Sequence, residues 1–187
     1  ERFNTNAEDF KEIYRDADEV MPHNMPVPRG KGVSITAFVD ASHAANKKTR
    51  RSHTGFVIFV NRAPIHWYSK RQQTVESSAF SSFLIAMRTC VETIQGLRYK
   101  LRMFGVPIPK GQPSHVFCDN ESVVKNATKV ESALNKKHFS VAYHYIRWCV
   151  TAGVVPTAWV ESENNLADAF TRRLAETVRD HLFGNWT

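Results

Sequence analysis

Cysteine is scarce in this sequence: three among 187 residues, at positions 90, 118 and 149. The number is odd and no C-x-x-C spacing occurs, which excludes a disulfide framework and a cysteine-based zinc site. Cys90, Cys118 and Cys149 read instead as small buried apolar residues in a reducing compartment. No apolar run approaches the roughly 20 residues of a membrane-spanning helix. A signal-peptide pattern is absent too, and a chain beginning with Glu1 rather than Met reads as a piece of a longer product. Internal repeats and low-complexity tracts are missing. Negative charge is in short supply: 18 Asp+Glu against 25 Lys+Arg leave a net charge of +7. That balance suits a polyanionic partner such as nucleic acid, or serves solubility alone. With 42% hydrophobic and 23% charged residues, the chain reads as one globular domain with an appendage, not a disordered segment.

The appendage is residues 1–32. Thr5-Asn6-Ala7-Glu8 has the form of a capping box, and Phe10, Ile13, Tyr14 and Ala17 follow at helical spacing. The proline-rich stretch MPHNMPVPRGKG then stops the helix and forms an extended connector. From residue 33 the pattern turns regular. Val33–Val39, Gly55–Val60 and Pro64–Ser69 read as strands of an antiparallel meander, with a basic loop, residues 46–53, after the first. Residues 75–103 form a long amphipathic helix. A buried strand, His115–Cys118, leads to a short helix, Glu121–Ala127. A helix at Asn135–Val150, a strand at Val154–Val160 and a final helix from Asn164, extended through Leu182, complete the order. Strands interleaved with helices predict an α/β fold: a mixed five-stranded sheet flanked by helices.

Three acids sit where such a fold gathers its chemistry. Asp40 ends the first strand, Asp119 directly follows the fourth, and Asp168 lies early on the final helix. Taken singly, each could be a turn or cap residue. Brought together they would repel one another and need cations. Oxygen ligands without neighbouring His or Cys favour Mg²⁺ or Mn²⁺. Two such ions about 3.5–4 Å apart can activate water and stabilise a leaving oxygen in phosphodiester cleavage.

Several blocks carry a more specific resemblance: VDASHAAN, RRSHTGFVIFVNRAPIHWYSKRQQTVESSAF, VFCDNESVV, NKKHFSVAYHYIRWCV and WVESENNLADAFTRRLA. In that order they resemble the ribonuclease H domain of a Ty1/copia-type retrotransposon reverse transcriptase polyprotein. PVPRGKGVSITAF is similar to the connector after the reverse transcriptase part of such polyproteins. The resemblance implies a ribonuclease H-like fold and Mg²⁺-dependent hydrolysis of RNA in RNA:DNA hybrids by four carboxylates. Asp40, Asp119 and Asp168 match three of them as catalytic and metal-binding residues. The position of the remaining one, a Glu on the long helix, holds Phe83.

No other acid makes up the loss. Glu76, seven residues before position 83 on nearly the same helix face, lies roughly 10 Å away along the axis, at 1.5 Å per residue, against a metal–ligand distance near 2.1 Å. Glu92 is farther, and Glu121 belongs to another element. Catalysis is therefore expected to be lost or severely impaired, with Mg²⁺ or Mn²⁺ the cofactor of any residual activity and otherwise none. Lys47, Lys48, Arg50 and Arg51, with Lys70 and Arg71 and with Lys136 and Lys137, are candidates to contact nucleic-acid phosphates. His43 and His144 read as packed, hydrogen-bonded histidines. Trp67, Tyr68, Tyr143, Tyr145, Trp148 and Trp159 read as core aromatics. Two functions follow. One is an impaired nuclease domain of a retroelement, intracellular and cytoplasmic or nuclear, bound to RNA:DNA hybrid. The other is a domesticated, noncatalytic scaffold or interaction subunit of a larger protein assembly.

Overall fold

Alternate burial along the first strand sets the architecture. In β1 (Ile35–Ser42), Ile35, Ala37, Val39 and Ala41 are buried under helices, while Thr36 and Phe38 face the other side of the sheet. The computed structural model describes residues 10–129 and 139–184. The capping box at Thr5–Glu8 and the basic pair Lys136 and Lys137 lie outside the described residues.

β1 pairs antiparallel with β2 (His53–Val60), which pairs antiparallel with β3 (Ala63–Arg71), giving the expected meander. Helix α1 (Ala79–Met103) crosses one face, and β4 (Ser114–Cys118) returns parallel to β1. Helices α2 (Glu121–Thr128) and α3 (Ser140–Thr151) follow, and β5 (Thr157–Trp159) adds parallel to β4. The sheet order is β3-β2-β1-β4-β5, a mixed five-stranded sheet. Two 3-10 turns, Ser162–Asn164 and Leu166–Phe170, and helix α4 (Glu176–Phe183) complete the described chain.

Several boundaries differ from the sequence reading. Helix α1 begins at Ala79 because the Ser78 side chain accepts from the Ser81 N–H and caps it. Val75 and Glu76 therefore precede the helix, so Glu76 does not share its face with position 83. Instead Glu76 is buried and accepts from the Thr74 hydroxyl at 2.6 Å. The fifth strand contracts to Thr157–Trp159. The predicted helix from Asn164 is a 3-10 turn, because Asn165 bonds the Ala167 N–H through its side chain and starts a tighter turn.

The connector is docked on the domain. Phe10 is 1% exposed, with the Arg147 guanidinium 4.8 Å above its ring. Glu19 reaches under α1, where Arg98 and Arg102 each donate two hydrogen bonds to it at 2.7 and 2.9 Å. Arg98 also bonds Ser114 Oγ, so the cluster ties connector, helix and sheet together. Burial opposes the Glu19 charge, but the bonds from Arg102 and Arg98 outweigh it and lower the pKa to about 2. Cys90, Cys118 and Cys149 are buried and unpaired as disulfides, as the sequence suggests. Among the described residues, no helix is long and apolar enough to cross a membrane.

Candidate active site

Asp40 lies two residues before the end of β1, opposite Gly55 of β2. Across that pair runs the 3-10 turn Leu166–Phe170. A Cβ built on Gly55 would stand 2.6 Å from Thr171 Cγ2 and 2.9 Å from Phe170 Cβ, so only glycine admits the turn this close. Asn165, fully buried, fastens the same segment by donating to the Val39 carbonyl at 3.1 Å. Asp168 is thereby brought to the end of β1, and Asp119 arrives from the end of β4, just before Asn120 caps α2.

The three acids thus gather at one end of the sheet and feel one another. Burial pushes the Asp40 carboxyl up to about 6, with the Asp119 and Asp168 charges adding to the rise and the Thr171 hydroxyl opposing it. Burial also raises Asp119, against hydrogen bonding from Ser162 and Asn165. Ser162 Oγ donates to Asp119 Oδ2 at 2.9 Å, and the Trp159 indole N–H donates to the Asp119 carbonyl at 3.0 Å. Asp168, 4% exposed, is held by Arg172, whose Nε donates to Oδ1 at 2.7 Å and whose Nη2 donates to Oδ2. Thr171 Oγ1 donates to Asp40 Oδ2. Thr171 and Arg172 escaped the sequence reading, although the Asp168–Arg172 spacing of four residues was visible in it.

Helix α1 offers nothing to complete the set. Its first turn carries no acidic residue, and Phe83 packs against the apolar core. Ser82 beside it belongs to a polar cluster, hydrogen-bonded to His43 Nδ1 at 2.9 Å and to Ser52 Oγ at 2.8 Å. His144 meets the Tyr14 hydroxyl at 2.6 Å, so both histidines are hydrogen-bonded as read from the sequence, but both are exposed and not packed as expected.

Mg²⁺ is the ion this kind of centre implies, and the side chains as they stand do not fit it. Arg172 takes both oxygens of Asp168, Thr171 takes one of Asp40, and Phe83 supplies none. Among the described residues no group of three or more His, Cys, Asp or Glu is arranged to hold a metal ion. The expected metal set of Asp40, Asp119 and Asp168 is therefore an acidic cluster closed by a guanidinium and a hydroxyl.

Basic residues flank the same end of the sheet. The loop after β1 presents exposed Lys47, Lys48 and Arg50 and half-buried Arg51. It is ordered by Asn46, whose Oδ1 accepts from the Lys48 and Thr49 N–H groups at 3.1 and 2.8 Å. Lys70 and Arg71 end β3 opposite Thr54 and His53, next to the Asp40–Gly55 pair. The aromatic residues divide. Tyr143 is buried and Tyr68, Tyr145 and Trp148 are half-buried, but Trp67 is 63% and Trp159 41% exposed, which corrects their assignment to the core. Trp67 lies on the edge strand β3.

A mixed sheet in this order, with helices packed on it and acids at the ends of β1 and β4, is a ribonuclease H-like fold. LC11-RNase H1, solved in complex with an RNA/DNA hybrid, superposes with a TM-score of 0.56 at 17% identity, covering 73% of this chain and 93% of its own. The foamy viral protease-reverse transcriptase with an RNA/DNA hybrid gives 0.51 at 15% identity, over 83% of this chain and 22% of that one. In sequence, the chain is 26% identical over 169 residues, 90% of its length, to the retrovirus-related Pol polyprotein from transposon RE1 of Arabidopsis thaliana. It spans 11% of the length of that relative. No protein-family model matches. Fold and sequence relatives together are consistent with the ribonuclease H domain of a copia-type Pol polyprotein.

Proposed function

We propose that this chain is a copia-derived ribonuclease H-like domain that engages RNA:DNA hybrid and has lost efficient Mg²⁺-dependent cleavage. The observation that carries the reading is Phe83. It stands where the resemblance expects a Glu and packs against the apolar core, while the three other acids, the Gly55 seat and the flanking basic residues persist. Hybrid binding is supported by the positions of Lys47, Lys48, Arg50, Arg51, Lys70 and Arg71 beside the centre and by the net charge of +7. Phosphates held there would lie along the sheet end, with Thr171 and Arg172 masking Asp40 and Asp168 from the strand.

The test is hybrid binding over a salt series, with duplex DNA as competitor. The reading expects preference for hybrid and an affinity that falls steeply with salt. Replacing both Lys47 and Lys48 with Ala should lower the log–log slope by about 2, near 0.9 for each phosphate that is no longer neutralised. Equal, salt-insensitive affinity for both duplexes would sink it.

A second reading, a noncatalytic interaction subunit, is favoured by the edge of the sheet. Trp67 and Ile65 stand exposed on β3, and a pocket of about 550 Å³ opens nearby between Phe38, Phe59, Pro64 and Leu166. Absence of hybrid binding together with co-purification of one stoichiometric protein, lost on Trp67→Ala, would favour it.

A further inference from the structure

Three neighbouring carboxylates need counter-charge, and the chain supplies it. Arg172 meets Asp168 fork to fork, the geometry in which a guanidinium matches a carboxylate best. The pairing is built into the backbone. The N–H groups of Thr171 and Arg172 both bond the Asp168 carbonyl at 3.2 Å, and the turn is seated on Gly55. The charges of Asp40 and Asp119 also act on Arg172, so it serves the whole centre and not one partner.

We infer that Arg172 is the resident cation of the acidic centre, taking the place on Asp168 that a divalent ion would need. Mg²⁺ requires near-octahedral oxygen ligands and gives up its water reluctantly. A carboxylate with both oxygens already engaged offers it no such ligand, and Phe83 offers no replacement. The centre is then held together without metal, and the apolar substitution on α1 is tolerated because no metal depends on it. Arg172 has a side chain 59% exposed, so solvent can separate the pair once its hydrogen bonds are weakened. This inference concerns the same acids as the functional reading but does not depend on hybrid binding, so its test uses metal alone.

Free Mn²⁺ is followed by electron paramagnetic resonance, and melting is followed with about 10 mM Mg²⁺ against NaCl of equal ionic strength. The wild-type protein should leave Mn²⁺ free and melt at the same temperature in both salts. Arg172→Gln should bind Mn²⁺ at least about tenfold more tightly and melt higher in Mg²⁺, and adding Asp168→Asn should remove both gains. Wild type binding Mn²⁺ as tightly as Arg172→Gln overturns the inference, as does a folded Arg172→Gln that gains nothing. If Arg172→Gln folds only in Mg²⁺, the metal has replaced the arginine and the inference stands. If it stays unfolded, the wild-type titration decides: free Mn²⁺ supports the inference and bound Mn²⁺ contradicts it.

Discussion

Two buried carboxylates, Glu19 and Asp40, show opposite solutions to the same problem. Glu19 is enclosed by two arginines that satisfy both oxygens, and its pKa falls to about 2. Asp40 is as deeply buried, yet it meets a hydroxyl and two further acids, and its pKa rises to about 6. Burial opposes ionisation at both sites, and the sign of the shift is decided by what surrounds the group. A charge kept for structure is matched by its neighbours. The acidic centre gathers more negative charge than structure requires, which is the pattern of a functional site and is costly to keep.

The largest expected effect lies on the matched side. Glu19→Gln should destabilise by about 3–5 kcal/mol in chemical denaturation, because it leaves two buried arginines uncompensated. Gly55→Val comes next, at about 2–3 kcal/mol, since its side chain must displace the Phe170–Thr171 turn. It should also release Thr171 from Asp40, so that the backbone chemical shifts around Thr171 no longer follow the Asp40 titration.

Asp40→Asn should go the other way and stabilise by about 1–2 kcal/mol at pH 7, as expected when a buried acid raised by some two pH units is neutralised. The pH dependence separates the two carboxylates further. Asp40 has a raised pKa, so the folded state binds its proton first and stability rises as pH falls from about 6 towards 4. Glu19 has a lowered pKa, so its contribution is complete above about 4.5 and is lost as pH falls towards about 2. Melting curves from pH 3 upward should show a maximum near pH 4–5, and Asp40→Asn should flatten only the limb above it. The smallest effect belongs to exposed charge. Lys47→Ala and Lys48→Ala should change stability by less than about 0.5 kcal/mol while weakening hybrid binding.

Much of the frame was legible in the sequence because it is written in short-range patterns. The apolar, partly β-branched run Val33–Val39 and the apolar spacing along α1 each announce one element. The three acids were legible as strand-end residues. What escaped depends on distant partners or competing local bonds. Glu19 follows Asp16 and Asp18 and nothing local sets it apart from them, and its arginines lie 79 and 83 residues away. The Asn165 side chain turned an expected helix into a 3-10 turn, and that turn delivers Thr171 and Arg172 to the acids. Trp67 looked like core because aromatics on buried faces usually serve packing, but its side chain on β3 is 63% exposed.

The central claim is that Phe83 and Arg172 together keep this centre from working as a metal-dependent nuclease. Its most direct measurement is cleavage of an RNA:DNA hybrid in Mg²⁺ by wild type and by Phe83→Glu combined with Arg172→Gln. The account predicts an intact RNA strand with wild type and Mg²⁺-dependent cleavage with the double variant. Robust Mg²⁺-dependent cleavage by the pure wild-type protein, abolished by Asp40→Asn, would contradict it.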